Sequence, residues 1–243
     1  MTDRKQINDA VAALIKEKGN NQKAYTREQI ALLNQFEGYG SLHGQVSSSA
    51  SLFEYYTPFP VIETMMDLAY RYGYVQGGKV CEPSVGIGCF LHYFAPETQV
   101  VAYELSETSA DIAKVNFPTF DIRQGRFEEM FTSRTGVTQD FKADFDLVIG
   151  NPPYGASTAL HPNEKRTTKA TTWEDYFTLR GMGLLRKGGL LVFIVPSAFL
   201  NRSENEARKT IFQKAELIDA YRLPHGSFDN TDVGTDIVIF KKK

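Results

Sequence analysis

The sequence is poor in several residue types that mark particular classes of protein. It has only two cysteines in 243 residues, Cys81 and Cys89, so we expect no disulfide framework and a reducing compartment. Its four histidines are scattered without metal-ligand spacing, which predicts no metal site. No signal peptide opens the chain, and no apolar run approaches the ~18 residues of a membrane span. We therefore expect a soluble, cytoplasmic protein that does not bind membranes.

The sequence also lacks an excess of charge of either sign. Lysine and arginine number 27 against 29 aspartates and glutamates, for a formal net charge of −2. This balance argues against a globally basic nucleic-acid binder, although it is compatible with a local basic patch. The length predicts one α/β domain, or one domain with a small appendage.

The N-terminal residues have a helical pattern of their own. Four apolar residues share one face of a first helix: Ile7, Val11, Leu14 and Ile15. A second helix is predicted to start at Thr26, with Gln29 as its capping-box partner. Glycines and serines over 37–51 predict a loop. We therefore predict a helical appendage over 1–45 and a second domain over 46–243.

From Thr57 onward, helix and strand patterns alternate. We predict helices over 57–73, 86–94, 106–117, around 174–186, and from Ser203 with Glu206 as its capping-box partner. Thr57 is the expected cap of the first of these. We predict strands over 79–83, 99–105, 119–122, 145–150, 189–196, 217–222 and 235–240. The alternation indicates an α/β fold with a mostly parallel seven-stranded sheet and helices on both faces.

A glycine-containing turn, "CEPSVGIGCF" (81–90), separates the first strand from the next helix. Gly86 and Gly88 have no Cβ, so a ligand can lie against this backbone at a helix N-terminus. Glu104 ends the next strand, the position from which a carboxylate accepts both hydroxyls of a ribose. Leu91 stands where a dinucleotide fingerprint has its third glycine, which favours a nucleoside without pyrophosphate. The alternative is a tight strand–helix turn without a ligand.

A second motif, "DLVIGNPPYG" (146–155), joins a buried strand to two prolines and an aromatic residue. Pro152 and Pro153 lack an N–H and fix φ, so they end the strand. Asn151 and Tyr154 are thereby expected on a stiff turn. The alternative is a purely structural Pro-Pro turn with an asparagine cap.

The segment "EPSVGIG", Glu104 and "NPPY", in this order, resemble the class I S-adenosylmethionine-dependent methyltransferases, in particular the N6-adenine DNA methyltransferases. The segments "YYTPFPVIETMMDLA" and "IDAYRLPHGSFDNTDVGTDIVIFKK" are similar to the methylase domain of phage and mobile-element proteins. The resemblance implies a Rossmann-like class I methyltransferase fold, S-adenosylmethionine as cofactor and DNA as partner. It also implies a larger polypeptide or a partner that supplies sequence specificity.

Carried over by this resemblance, Thr57 would bind the methionine carboxylate, Glu104 would hold the ribose, and Phe127 would pack on the cofactor adenine. Phe127 could equally be a core aromatic. The full implied cofactor set is Tyr56, Thr57, Pro58, Glu82, Pro83, Ser84, Gly86, Gly88, Glu104, Phe127 and Asn151. Many relatives have an aspartate before this phenylalanine, whereas this chain has Arg126, which cannot accept a hydrogen bond. The cofactor amine must then be read by another group or left to solvent.

The implied catalytic residues are Asn151, Pro152, Pro153 and Tyr154. Asn151 Oδ1 and the Pro152 carbonyl would accept the two N–H bonds of an exocyclic amine and localise its lone pair. Tyr154 would stack on a base that has been flipped out of the duplex. Phe228 would form the second wall of the base pocket, unless it is simply a buried phenylalanine.

The polar segment 155–172 follows this motif and is predicted to be a loop. Its Lys165, Arg166 and Lys169 are candidates for contact with DNA phosphates, the alternative being a solvated loop. Arg202 and Lys241–Lys243 are further candidates. Because the chain ends three residues beyond the strand "TDIVIF", we expect no following recognition domain and a relaxed sequence preference.

Three other functions remain open at this point. Methyltransferases that act on a protein glutamine also carry Asn-Pro-Pro-Tyr, because an amide nitrogen has the same delocalised lone pair. An RNA adenine is another substrate compatible with the motif. The third alternative is a catalytically silent binding module, against which the intact motif argues.

Overall fold

The computed structural model describes residues 4–38, 56–133, 136–137, 142–228 and 233–243. The α helices in these ranges are α1 (Arg4–Lys18), α2 (Arg27–Leu33), α3 (Phe59–Arg71), α4 (Glu107–Asn116), α5 (Pro162–Thr168), α6 (Trp173–Leu184) and α7 (Glu206–Lys214). The strands are β1 (Val80–Glu82), β2 (Val100–Glu104), β3 (Asp121–Gln124), β4 (Thr132–Ser133), β5 (Gly136–Val137), β6 (Phe145–Gly150), β7 (Leu185–Pro196), β8 (Ala215–Arg222) and β9 (Thr235–Lys242). Short 3₁₀ helices span Gln22–Ala24, Cys89–Tyr93 and Phe127–Met130.

Seven of these strands form one sheet, in the order β3-β2-β1-β6-β7-β9-β8. The neighbours from β3 to β7 pair in parallel, and β9 alone runs antiparallel, between β7 and β8. A two-stranded antiparallel ribbon, β4-β5, lies apart from it. The predicted seven-stranded, mostly parallel sheet is therefore confirmed.

Side chains alternate between the two faces of this sheet, as the period of a strand requires. In β7, Leu190, Val192 and Ile194 join the core layer that includes α3. Their neighbours in β7, Leu191, Phe193 and Val195, join the layer that includes α6 and α7. Both faces are buried, which explains why "LLVFIVP" reads as a continuous apolar run.

The carboxyl ends of the parallel strands bring the two sequence motifs to one edge of the sheet. β1 and β2 end at Glu82 and Glu104, and β6, which pairs with β1, ends at Gly150 just before Asn151. Open parallel sheets bind ligands at this edge. The fold therefore places the glycine turn, Glu104 and the Asn-Pro-Pro-Tyr turn side by side.

The N-terminal helices pack on α4 rather than standing away from the domain. Val11, Ile15 and Leu33 share an apolar cluster with Ile112 and Val115 of α4. The predicted capping box between Thr26 and Gln29 is present. The boundary between 1–45 and 46–243 stays a prediction, and most of the predicted 37–51 loop lies outside the described residues.

Several predicted boundaries are wrong. Pro58, not Thr57, occupies the N-cap position of α3, and the helix expected over 86–94 is only the short 3₁₀ helix at Cys89–Tyr93. Asn205, not Ser203, caps α7, because its side chain accepts the Arg208 N–H. The strand expected over 119–122 is Asp121–Gln124. The expected loop over 155–172 contains α5, which begins with a proline at its first helical position.

Within the described part of the chain, no helix combines the length and the apolar character needed to cross a bilayer.

Candidate functional site

A cavity of about 330 Å³ opens at the carboxyl edge of the sheet, within the ~300–1,000 Å³ range typical of small-molecule sites. It brings together residues from the ends of β1, β2 and β6 and from the start of α6. Its lining comprises Tyr56, Thr57, Glu82, Pro83, Ser84, Val85, Gly86, Cys89, Phe90, Glu104, Leu105, Gly125, Arg126, Phe127, Glu128, Asn151, Pro153, Ala156, Thr158, Ala159, Trp173 and Phe177. The cavity thus joins both sequence motifs in one site.

The two glycines of the turn have different roles. Gly86 lines the cavity with φ at 57°, and a Cβ there would approach the ring of Tyr56 to 2.8 Å. Gly88 has φ at 94° and is not part of the lining; a Cβ there would lie 2.6 Å from the Phe117 ring. Gly86 therefore lines the cavity, whereas the positive φ and the packing against Phe117 account for Gly88; contact of either glycine with a ligand stays a prediction.

Glu104 is held by the backbone on both of its carboxylate oxygens. Oε2 accepts the N–H of Gly86 at 2.8 Å, and Oε1 accepts the N–H of Ser106 at 2.7 Å. A carboxylate oxygen can accept more than one hydrogen bond, so this anchoring leaves the group able to receive hydroxyls. The glycine turn and the acid are one preorganised unit.

Glu82 is a buried carboxyl group at the end of β1. Its Oε2 has no hydrogen-bond partner among the described residues. Burial, together with the nearby charge of Glu104, raises the pKa of Glu82 well above its usual range. A buried acceptor without a partner is costly unless a ligand donates to it. This orphaned oxygen fits a cationic donor such as an ammonium group, and it lies in the same cavity as the buried Thr57.

Aromatic and aliphatic side chains form another part of the cavity wall. Phe127 stacks on Phe177 with ring centroids 5.1 Å apart and also contacts Tyr103 and Phe131 edge to face. Leu105 is 48% exposed although it is a large apolar residue, and it lines the cavity directly after Glu104. Such a wall suits the flat ring of a nucleobase. Phe127 is thus a core aromatic that also reaches the site.

Two side-chain hydrogen bonds, one from Ser84 and one within the turn, hold the Asn-Pro-Pro-Tyr turn in place. The Ser84 hydroxyl donates to the backbone carbonyl of Asn151 at 3.1 Å. The Tyr154 hydroxyl donates to Asn151 Oδ1 at 2.6 Å. Asn151 and Pro153 line the cavity, whereas Pro152 and Tyr154 are not part of its lining. The turn is therefore rigid before any substrate arrives.

The residue after the turn, Gly155, is fixed by the start of α6. Its N–H donates to Glu174 Oε2 at 2.9 Å, and its carbonyl accepts the Trp173 N–H at 2.8 Å. Glu174 is fully buried and its other oxygen accepts from Arg202. Arg202, proposed above as a DNA contact, is thus engaged in supporting the turn.

Tyr154 and Phe228 pack against the same apolar cluster, on the sheet face that carries α3. Phe228 is buried at 9% exposure, and burial beside Glu174 raises the pKa of Tyr154. Neither ring lines the cavity. Their shared cluster lies beside the motif, so their predicted contact with a base remains a prediction.

The candidate phosphate contacts fall into two groups. Lys165, Arg166 and Lys169 are exposed on or just after α5, in the segment whose Ala156, Thr158 and Ala159 line the cavity. In contrast, β9 runs antiparallel, so Lys241 pairs with Leu190 in the middle of β7, and Lys242 pairs with Ala215 at the start of β8. The Lys241–Lys243 end therefore lies at the opposite edge of the sheet, away from the cavity, and its contact with DNA stays a prediction.

Some contributors to the site were not identified from the sequence: Leu105, Glu128, Trp173, Glu174 and Phe177. Leu105 had a readable signal, because it directly follows the strand-ending Glu104. Glu174 had only a weak one, an acid in the first turn of a helix that Thr172 caps. The partner of Glu174 lies 19 residues away, and nothing local to α6 reveals it.

Within the described ranges, no group of three or more histidine, cysteine, aspartate or glutamate side chains is placed to hold a metal ion. Cys81 and Cys89 are both free thiols. Cys89 lines the cavity, where burial raises its pKa to about 12, so it is not a reactive thiolate.

Comparison with known proteins gives a consistent result. The sequence model of the Eco57I restriction-modification methylase family matches residues 93–227, more than half of the chain. Defense against restriction protein B of Escherichia phage P1 is 31% identical over 220 residues, which are 89% of this chain and 9% of that protein. The type II methyltransferase M.TthHB8I of Thermus thermophilus is 27% identical over 81% of this chain and 46% of its own length. The chain thus spans less than half of either relative.

A modification subunit of a putative type I restriction enzyme from Vibrio vulnificus has the same fold. It superimposes with a TM-score of 0.64 at 17% identity, covering 90% of this chain and 50% of that one. The predicted Rossmann-like class I methyltransferase fold is confirmed by this likeness together with the strand order.

Proposed function

Because the chain belongs to the Eco57I restriction-modification methylase family, we propose that it transfers a methyl group from S-adenosylmethionine to the exocyclic N6 of adenine in DNA. The observation that carries this proposal is the position of Asn151. It lines the same cavity as Gly86 and Glu104, and a hydrogen bond from Ser84 ties its backbone to the cofactor side.

S-adenosylmethionine is the cofactor of this family and fold. Its sulfonium supplies a methyl group that is already activated for transfer. We assign its ribose to Glu104, its ammonium to the orphaned Glu82 Oε2, and its carboxylate to the buried Thr57. Its adenine is assigned to the wall of Leu105, Phe127 and Phe177. The assignment matches donors to acceptors along one cavity.

The role assigned to Asn151 follows from the poor nucleophilicity of an aryl amine, whose lone pair is delocalised into the ring. Asn151 Oδ1 and the Pro152 carbonyl are acceptors for its two N–H bonds. Because the turn is rigid, these acceptors do not need to reorganise when the amine arrives, which is worth ~3 kcal/mol for one such hydrogen bond. They therefore favour the pyramidal nitrogen of the transition state over the flat nitrogen of the free base.

The adenine must leave the helical stack to reach this turn, or be presented on a single strand. We assign Tyr154 and Phe228 to the flanks of the base, since both pack beside the motif. The hydroxyl of Tyr154 contacts Asn151, so this residue lies next to the proposed acceptor.

DNA is the proposed partner, held through phosphates by the exposed cations of α5. The buried Glu164 of this helix pairs with Arg180 at 2.6 Å and accepts from the Tyr176 hydroxyl at 2.9 Å. The helix is thus anchored, and Lys165, Arg166 and Lys169 form a fixed patch. Such contacts position DNA without reading its sequence. We assign sequence recognition to a further polypeptide or partner, because the curated relatives are more than twice as long as the matched region.

A labelled-cofactor assay tests the proposed reaction. Tritiated S-adenosylmethionine is offered with duplex DNA, single-stranded DNA, transfer RNA and a protein with an exposed glutamine. The proposal is supported if the DNA becomes labelled and digestion of that DNA shows the label in N6-methyladenine. Label only in RNA, only in protein, or in N4-methylcytosine contradicts it.

The cofactor site is tested separately, by calorimetry with S-adenosylhomocysteine. Glu104→Ala removes charge-assisted hydrogen bonds and should weaken binding by ~1–3 kcal/mol. Glu107→Ala, an exposed acid in the first turn of α4, is the control and should bind like the unaltered chain. Equal affinity of the two variants would place the ribose elsewhere.

A further inference from the structure

A second buried carboxyl group in the cavity wall has one oxygen that accepts no hydrogen bond. Glu128 belongs to the 3₁₀ helix Phe127–Met130 and is 4% exposed. Its Oε1 has no hydrogen-bond partner among the described residues. The nearest cationic atom, Arg126 Nη1, lies 3.7 Å away. Arg126 instead donates from this nitrogen to the Ala159 carbonyl at 3.0 Å.

The backbone around Glu128 is fixed. Its carbonyl accepts the Thr132 hydroxyl and the Phe131 N–H, both at 2.9 Å. The preceding Phe127 is locked among aromatic rings. Glu128 therefore lines the cavity from a well-held turn.

Burial of Glu128 outweighs the favourable interactions of its carboxylate. Burial is the largest effect and raises its pKa, and the nearby Glu164 and Glu129 act in the same direction. The charge of Arg126 and a backbone hydrogen bond oppose this rise only in part. An oxygen in this situation gains most from a ligand that brings a hydrogen-bond donor.

Neighbouring acceptors are already used. The Ala159 carbonyl accepts from Arg126, and Glu129 Oε1 accepts the Arg126 backbone N–H at 3.2 Å. Arg126 itself has only donors. At this end of the cavity, Glu128 Oε1 is a buried side-chain acceptor to which no described group donates a hydrogen bond.

We propose that Glu128 accepts a hydrogen bond from the 6-amino group of the cofactor adenine and so selects an adenine cofactor. This rests on the proposed placement of the cofactor, with its ribose at Glu104 and its base beside Phe127. In an adenine that is bonded to ribose, the exocyclic amine is the group that carries N–H donors. The carboxylate then obtains the donor that the protein does not supply.

The test compares two ligands that differ only in this amine. S-adenosylhomocysteine and its analogue with unsubstituted purine in place of adenine are titrated into the chain by calorimetry. The unaltered chain should bind the adenine ligand at least ~10-fold more tightly, as expected for a hydrogen bond to a charged group. Equal affinity for the two ligands would overturn the proposal without any variant.

Variants of Glu128 assign the preference to this residue. Glu128→Gln retains a carbonyl acceptor and should keep the preference. Glu128→Met fills a similar volume without an acceptor, so its preference should fall to within about twofold while purine-ligand affinity is kept. Glu128→Ala serves the same purpose if the methionine variant does not fold. A methionine or alanine variant that still prefers adenine by ~10-fold would overturn the proposal.

The outcome is separable from failure of the cofactor assignment. If neither ligand binds, or if Glu104→Ala leaves binding of both unchanged, the cofactor placement is wrong and Glu128 is overturned with it. If Glu104→Ala weakens both ligands equally while Glu128→Met keeps the adenine preference, only the role of Glu128 is wrong.

Discussion

The Tyr154 hydroxyl donates a hydrogen bond to Asn151 Oδ1, the acceptor assigned to the substrate amine. An asparagine amide can present either its oxygen or its nitrogen to a given point, and only the oxygen is useful here. In the structure the tyrosine hydroxyl donates to the oxygen and holds it in this orientation. A residue expected from the sequence only to stack on a base therefore also orients the amide that we assign to catalysis.

Replacement of Asn151 by alanine should lower the methylation rate by at least ~100-fold, since it removes an acceptor that acts mainly in the transition state. The fold and the affinity for S-adenosylhomocysteine should change little, because the turn is also held through the Asn151 backbone. Single-turnover kinetics and calorimetry measure the two effects. Parallel loss of rate and cofactor affinity would show that Asn151 serves the cofactor instead.

Two replacements of Tyr154 separate its ring from its hydroxyl. Tyr154→Ala loses base stacking, worth ~1–3 kcal/mol, and should be strongly impaired in methylation. Tyr154→Phe keeps the ring and loses one hydrogen bond to Asn151, which costs ~1 kcal/mol or a few-fold in rate. A phenylalanine variant as inactive as the alanine variant would show that the hydroxyl is essential.

Charge reversal of Lys165, Arg166 and Lys169 to glutamate should weaken DNA binding for every sequence tested. It should also reduce the dependence of binding on salt, since fewer counterions are released from the phosphates. A matched triple, Lys187, Lys214 and Lys241 to glutamate, changes the same charge among exposed residues at the opposite edge. Fluorescence anisotropy with labelled DNA compares them. Equal loss in both triples would indicate only a net-charge effect.

The buried Glu82 should make the ligand-free chain less stable as the pH rises. Its folded pKa is raised above the usual 4.5, so above that pH the folded state binds more protons than the unfolded state. Stability from this group is therefore greatest in acid and declines toward alkaline pH. The Glu82→Gln variant lacks this decline. The unfolding midpoint temperature of the variant, relative to that of the wild type, should therefore increase from about pH 5 to about pH 8. A constant difference across this range would contradict the assigned burial of charge.

The sequence predicted those parts of the site whose signals are local. Two prolines after an apolar run must end a strand, and an acid at the end of the next strand must lie at the same edge of a parallel sheet. Gly86, Glu104 and Asn151 were located by such arguments. The sheet itself follows from the alternation of apolar strands and amphipathic helices.

Contacts between distant segments could not be read in this way. Gly88 is a glycine because Phe117 packs against it, and Glu174 supports Gly155 across 19 residues. The cap of α7 was misplaced because Ser203 and Asn205 are both good capping residues, and packing decides between them. The basic segment looked like a loop because α5 is short and polar, and the partners of its buried Glu164 lie on α6.

The hydrogen bond from Ser84 to the Asn151 carbonyl has a consequence for the order in which ligands arrive. One end of this bond is in the loop assigned to the methyl donor, and the other is in the turn assigned to the methyl acceptor. A ligand that tightens either segment tightens the other, and thermodynamic reciprocity requires both affinities to change by the same factor. The two ligands should therefore bind cooperatively. The cofactor-loaded protein should bind its target base more tightly than the cofactor-free protein does. Release of the demethylated cofactor product should in turn lower the affinity for the modified base and favour its dissociation.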